Sequence, residues 1–413
     1  MISRPGNIAI DQFSYPLEEK LIAKYPLAER DASRLLIYQK RKIREDIYRN
    51  IDRYLPKNSL LIFNDTKVIE ARILFQKQTG GIIEIFCLEP EGPYQNLATV
   101  MGQKDKVRWK CLIGGASKWK KGEDLRKKVK IKQKEIILQA SYVLKESGYF
   151  ILEFSWLPNG LTFGEILHAV GLIPLPPYIK READDQDAIR YQTIYAAKDG
   201  SVAAPTAGLH FTQRVMEKME AKNISREFIT LHVGAGTFKP MKGRTLREHQ
   251  MHEEFIEISK SAIEKLVKWE RGRIVAVGTT SLRTIESLYW LGVKVILEPE
   301  TRMESLTVKQ WDPYLLKSKS IHARSSLQAL AQWMDKQQTE KLVTKTQLLI
   351  SPGYEFRMVN ALITNFHQPH STLLLLVAAL IGKDWKKVYQ YAMDQEFRFL
   401  SYGDGCLLFG SNG

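Results

Sequence analysis

The stretch RIVAVGTTSLR, Arg273 to Arg283, decides the fold class. Ile274 to Val277 are a short apolar run rich in branched side chains, the pattern of a buried strand. Gly278 breaks the run, Thr279, Thr280 and Ser281 supply hydroxyls, and a helical LRTIESLYW follows. Such a turn at a helix start is well suited to an anion, and it is equally an ordinary capped connection. Two other segments repeat the grammar. SLLIFNDTKV, Ser59 to Val68, ends in Asn64, Asp65 and Thr66, which also read as an Asx turn or cap. ALITNFHQPHSTLLLLVAALIG, Ala361 to Gly382, crowds Asn365, His367, His370, Ser371 and Thr372 between strand and helix. Strands without polar alternation are buried on both faces and need helices on both. The chain therefore reads as an α/β layered domain with its polar turns along the strand ends, where such sheets bind ligands.

Outward from these units the texture changes between Ala71 and Trp156. Short runs at Ile82–Leu88, Leu97–Met101, Val107–Leu112, Val129–Ile131, Ile136–Leu144 and Tyr149–Phe154 alternate with glycine turns. They predict a small β-barrel or sandwich. The expected division is a discontinuous α/β catalytic domain, residues 1–70 and 157–413, with a smaller β-barrel domain, 71–156, inserted. Lysines and arginines crowd Lys118 to Lys134. They form either a solvated face or a track for a nucleic-acid backbone, with Trp109 and Trp119 as stacking surfaces. Thr162 and Glu165 carry a capping-box pattern.

Across 413 residues the formal net charge is +15, which favours an anionic partner such as nucleic acid, a phosphorylated ligand or a membrane surface. Cys87, Cys111 and Cys406 lie far apart, so neither a disulfide framework nor a thiolate zinc site is indicated. No secretory signal is evident in MISRPGNIAIDQF. The longest apolar run, Leu373–Ile381, is far shorter than the roughly 20 residues of a membrane span. A cytoplasmic protein is expected.

Chemistry concentrates in a few places. GSVAAPTAGLHFT, Gly200 to Thr212, is a loop of small residues that lets something approach its backbone, or a tight packing connection. It brings Thr206 and His210, and Arg190, Tyr191 and Gln192 precede it closely. Phe228–Val233 reads as a strand carrying His232, before GAGTF with Thr237. His249 and His252 lack a third ligand and the HExxH pattern, so acid/base work, substrate binding or a plain surface pair are the open readings. Arg30, Asp31, Ser33 and Arg34 form either an anion clamp or an ion-pair knot. Near the end, Arg398, Tyr402 and Asp404 flank a tight turn. No GxSxG elbow, Walker A loop or complete GxGxxG is present. The residues alone lead to an α/β enzyme acting on a nucleotide or nucleic acid.

The strings PLAERDASRLL, LLIFNDTKVIEARI, RYQTIYA, GSVAAPTAGLHFT, TLHVGAGTF, HQMHEE, AVGTTSLRTIES, PGYEF, ALITNFHQPHSTLL and FRFLSYGD, in this order, closely resemble the S-adenosylmethionine:tRNA ribosyltransferase-isomerase family of queuosine biosynthesis. The resemblance implies transfer and isomerisation of the ribosyl group of S-adenosylmethionine onto 7-aminomethyl-7-deazaguanine at the tRNA wobble position. The products would be epoxyqueuosine, adenine and methionine. It also implies a barrel inserted in a larger α/β domain, and no metal or bound cofactor; a monomer is expected. The chemistry would begin with proton loss beside the sulfonium and continue with protonation of the departing adenine. Candidate acids and bases are His210, the first choice, with His232, His252 and His367. Candidate substrate-binding residues are Asp65, Arg190, Tyr191, Gln192, Thr206, Thr237, Thr279, Thr280, Arg283, Asn365 and Asp404. The chain departs from the family pattern at Asn360, where a carboxylate is usual, at His370, where a lysine is usual, and at Cys406. These departures put ionic or phosphate-binding roles at Asn360 and His370 in doubt. The rivals are an RNA-binding protein without catalysis and a methyltransferase.

Overall fold

The structure is a computed structural model that describes residues 5–92, 97–120, 122–131, 133–146, 148–234, 241–269 and 272–410. A nine-stranded mixed sheet forms its larger part. Four neighbouring strands run parallel at its centre: Ser225–His232, Ser59–Asn64, Arg273–Val277 and Ala361–Asn365. Gly405–Phe409 pairs antiparallel with the last of these, then come Arg34–Gln39 and the edge strand Lys42–Ile47. On the other flank Glu254–Ser259 and Lys341–Thr346 complete the sheet.

Alternation along the central strands separates two cores, because successive side chains point to opposite faces. Leu60 and Ile62 join the cluster under the helices Thr279–Leu297, Ala323–Lys336 and Thr372–Ile381. Leu61 and Phe63 join the opposite cluster with Val215, Met216 and Met219 of the helix Gln213–Ala221. The outcome is the layered α/β architecture expected from RIVAVGTTSLR. All six residues of Ser59–Asn64 are buried, as a run covered on both faces requires.

A second sheet has seven antiparallel strands in the order Gly171–Leu172, Arg72–Gln76, Ile82–Pro90, Lys106–Gly114, Tyr149–Leu157, Lys134–Glu146 and Leu125–Ile131. It curls until its last strand meets its second, where Lys127 Nζ donates to the Leu74 carbonyl at 3.1 Å. This is the smaller, barrel-like part. Its core extends through Phe163, Ile166, Leu167 and Val170 of the helix Phe163–Val170, which starts with the capping box of Thr162 and Glu165.

Two local expectations are corrected. Leu97–Met101 is a short helix, not a strand. Trp109 and Trp119 are only 1% and 6% exposed, so neither offers a stacking surface. Their rings fill the second core instead, because large aromatic surfaces gain most from leaving water. Among the described residues no helix is long and apolar enough to cross a membrane.

Candidate functional site

Strand direction builds the site. The four central strands end at one edge of the sheet, at Asn64, His232, Val277 and Asn365. Gly405 pairs with both Asn365 and Leu35, so the two reversed strands begin at that same edge. Turns from distant parts of the sequence therefore meet there, as at the strand ends of other open sheets.

A cleft at this edge holds about 700 Å³ of atom-free space, part of it open to solvent. Ala203 to Ala207 form one wall, while Gly200 and Gly208 of the same stretch are packed tightly against Leu97 and Tyr195. Gly278, Thr279 and Thr280 form another. Gly278 has φ +91°, a conformation in which any side chain is strained, and its N–H is held by the Ile363 carbonyl at 2.8 Å. This turn aims the first turn of a 19-residue helix at the cleft. Its leading N–H groups lack intrahelical acceptors and carry the positive end of the helix dipole. Asn365, Phe366, His367, Gln368 and Ser371 form a third wall, and Tyr178, Tyr191, Leu400 and Ser401 a fourth. Leu400 has φ +68°, uncommon for a bulky side chain and costing on the order of 1–3 kcal/mol. Among the described residues none of those lining the cleft is an Asp, Glu, Lys or Arg.

Of the residues singled out from sequence, Tyr191, Thr206, Thr279, Thr280, Asn365 and His367 line this cleft. His367 is buried, and desolvation lowers its pKa to about 3, so the ring is neutral. Its Nε2 lies 2.8 Å from Thr364 Oγ1. Its Nδ1 has no hydrogen-bond partner among the described residues. The His367 N–H donates to the Tyr389 hydroxyl oxygen at 3.0 Å, and the Tyr15 hydroxyl donates to the His367 carbonyl.

His210 stands behind the wall. Asn365 Nδ2 donates to His210 Nε2 at 3.1 Å, so the ring proton sits on Nδ1, which meets Ser33 Oγ at 3.1 Å. Thr206 Oγ1 donates to Asn365 Oδ1 at 2.8 Å. Burial lowers the His210 pKa to about 4. A neutral imidazole with both nitrogens engaged orients Asn365, the residue that faces the cleft.

The other candidates lie elsewhere. His232 points to the opposite face from Val233, with Nδ1 3.1 Å from Thr66 Oγ1, and burial lowers its pKa to about 4. Asp65 accepts from Thr230 at 2.7 Å, and its carbonyl receives the N–H groups of Ala197 and Lys198; the Asn64 amide bridges to both backbone groups of Leu231 on the neighbouring strand at 3.0 Å each, and its Nδ2 also lies 3.3 Å from Thr280 Oγ1. Gln192 clamps Val68 through both backbone groups, at 3.0 and 2.8 Å. Arg190 reaches Asp184. Arg283 is buried against Glu254 and the Leu348 carbonyl. Asp404 accepts from the N–H groups of Arg34 and Arg398 at 2.9 and 2.8 Å. His252 is exposed in a separate groove with Glu89, Glu91, Lys110, Glu253 and Lys345. Thr237 lies outside the described residues.

The Arg30–Arg34 cluster is a knot: Asp31 is gripped by Arg214 at 2.6 and 3.0 Å and by Thr212 at 2.6 Å. Sequence reasoning missed Tyr178, Gln368 and Ser401 as cleft residues. Their only signal was membership in the proline-rich run LIPLPPYIKR, Leu172 to Arg181, and in the motifs ALITNFHQPHSTLL and FRFLSYGD. Among the described residues no group of three or more His, Cys, Asp or Glu is placed to hold a metal ion.

Comparison with known proteins agrees with this arrangement of motifs. A family model described as queuosine biosynthesis protein matches residues 10–408. An S-adenosylmethionine:tRNA ribosyltransferase-isomerase of Thermotoga petrophila is 38% identical, covering 97% of this chain and 99% of its own. One from Chlorobaculum parvum is 36% identical with the same coverage. A crystal structure of an S-adenosylmethionine tRNA ribosyltransferase from Thermotoga maritima shares 30% identity, covers 96% of this chain and 100% of its own, and gives a TM-score of 0.45. With its motifs matched from residue 10 to residue 408, the chain belongs to the queuosine biosynthesis protein family.

Proposed function

We propose that this protein transfers and isomerises the ribosyl group of S-adenosylmethionine onto 7-aminomethyl-7-deazaguanine in the tRNA anticodon, yielding epoxyqueuosine and releasing adenine and methionine. The observation that carries this reading is the cleft itself. It joins a neutral imidazole, an oriented amide, several hydroxyls and a helix amino end, with no Asp, Glu, Lys or Arg among the described residues that line it. Hydroxyls and amide suit a ribose, and the helix amino end suits the methionine carboxylate. Family membership and the names of the relatives support S-adenosylmethionine and tRNA as the substrates.

His367 is the residue assigned to proton transfer. The sulfonium acidifies the adjacent ribosyl carbon, and a neutral imidazole with a free nitrogen can receive that proton. The same nitrogen, once protonated, can return the proton to adenine as its glycosidic bond breaks. His210 is assigned a positioning role through Asn365. His232, His252, Asp65, Arg283 and Asp404 are assigned to folding or to surfaces outside the cleft.

The test is a product analysis with purified protein, S-adenosylmethionine and tRNA carrying the aminomethyl-deazaguanine. Equal amounts of adenine and methionine, with epoxyqueuosine in the nuclease digest, are expected. S-adenosylhomocysteine would mean a methyltransferase. RNA binding without products would mean a binding protein.

A further inference from the structure

The second sheet carries its positive charge in one place. Residues 72–157 hold sixteen Lys and Arg against nine Asp and Glu, seven of the chain's fifteen net positive charges. Within 118–134 alone there are nine basic residues and two acidic ones, so this short segment accounts for the whole excess and the rest of the sheet balances, seven against seven. The balance elsewhere is realised in ion pairs, among them Arg72–Glu84, Arg108–Glu153 and Lys110–Glu89.

The 118–134 segment contains the last strand of the curled sheet, Leu125–Ile131, which is laddered on one side only. Its burial alternates. Leu125 and Ile131 are buried, while Arg126, Lys128 and Lys130 are exposed on one face. Lys127, pointing the other way, is spent on the Leu74 carbonyl. The exposed three stand about 6.7 Å apart, two residues of strand rise. That is close to the step between phosphates of an extended nucleic-acid strand. Of the three, Lys128 has an ion pair, to Glu135 at 3.4 Å, with both side chains largely exposed, and such a pair contributes little. Arg126 is held by the uncharged Gln139 at 3.1 Å, which orders the guanidinium without neutralising it.

We infer that this edge is a docking face for the phosphate backbone of the tRNA, away from the base that enters the cleft. The inference rests on the proposed function for the identity of the polyanion. It adds where that polyanion is held and by what. Trp109, Trp119 and Trp156, the tryptophans of the second sheet, are all buried, so the face reads charge and spacing rather than stacking on bases. The outward row of the strand bears only cations, Arg126, Lys128 and Lys130, at a spacing that matches successive phosphates, which favours a nucleic-acid backbone as the occupant.

The test is the triple variant Arg126→Gln, Lys128→Gln, Lys130→Gln, compared with wild type in steady-state kinetics. All three side chains are exposed, and circular dichroism and the thermal midpoint check that folding is retained. The KM for tRNA should rise about tenfold, and the slope of log affinity against log salt should shrink by about three. Turnover at saturating tRNA and the KM for S-adenosylmethionine should stay put. Unchanged tRNA affinity and salt slope in an active variant overturns the docking face alone. Wild-type protein that binds tRNA but releases no adenine sinks the catalytic reading and leaves the docking face to the binding data. Loss of binding to vesicles containing anionic phospholipid, with tRNA binding intact, assigns the face to lipid and overturns the inference.

Discussion

Asn365 Nδ2 and His210 Nε2 lie 3.1 Å apart, and the other ring nitrogen of His210 is held by Ser33. The histidine therefore fixes which way the Asn365 amide faces. His210→Ala should lower kcat about 10- to 100-fold, the usual scale for losing an orienting partner. The shape of the pH–rate profile should survive, because no titrating group in the cleft has been removed. A variant whose profile loses a limb would restore His210 as acid or base. Near-normal turnover would remove it from the machinery altogether.

His367→Gln tests proton transfer directly. The variant should bind S-adenosylmethionine and tRNA normally and lose about 10²- to 10⁴-fold in kcat. Adenine release, followed by chromatography, reads the effect. Weaker binding with unchanged turnover would make His367 a substrate contact only.

Acid sensitivity follows from three neutral imidazoles. Burial lowers His210 and His232 to about 4 and His367 to about 3. In the unfolded chain each titrates near 6.5. Between those values the unfolded state binds protons that the folded state does not, so stability rises with pH across that window and levels off above it. At pH 5 each histidine should cost about 2 kcal/mol relative to pH 7. The buried carboxyls of Asp65, Asp404 and Glu286, pushed up by desolvation, work in the opposite direction. Comparing denaturant midpoints of wild type and His232→Gln between pH 4 and 7 isolates one histidine. Equal pH slopes in the two proteins would refute the assignment.

Gly208 marks a close approach. A methyl group there would strike the Tyr195 hydroxyl and come within 2.9 Å of Thr193 Cγ2. Gly208→Ala should destabilise the protein by about 1–3 kcal/mol, the range for overpacking a tight interior. Chemical denaturation measures it, and an unchanged midpoint would show that Tyr195 can move aside.

Much of the fold was legible because burial leaves periodic traces. SLLIFN and RIVAV have no polar alternation, and both are central strands covered on each face. The Thr162–Glu165 cap was readable because its bonds are local. Leu97–Met101 misled because a five-residue apolar run has no period of its own, and tertiary packing chose helix. Trp109 and Trp119 misled because proximity to lysines in sequence says nothing about which side of a curled sheet a ring takes.

The candidate site was legible as a set of turns, and six of the fifteen candidate residues line the cleft. By itself the sequence determined the layered class, the barrel-like second sheet, the charge excess and the family motifs, since each resides in composition or in neighbours along the chain. Only the tertiary structure decided that Val233 lines the cleft while His232 turns away, and that His210 serves Asn365. The reason is physical. A strand sends adjacent side chains to opposite faces, and pairing between residues more than a hundred positions apart sets which face becomes the cleft.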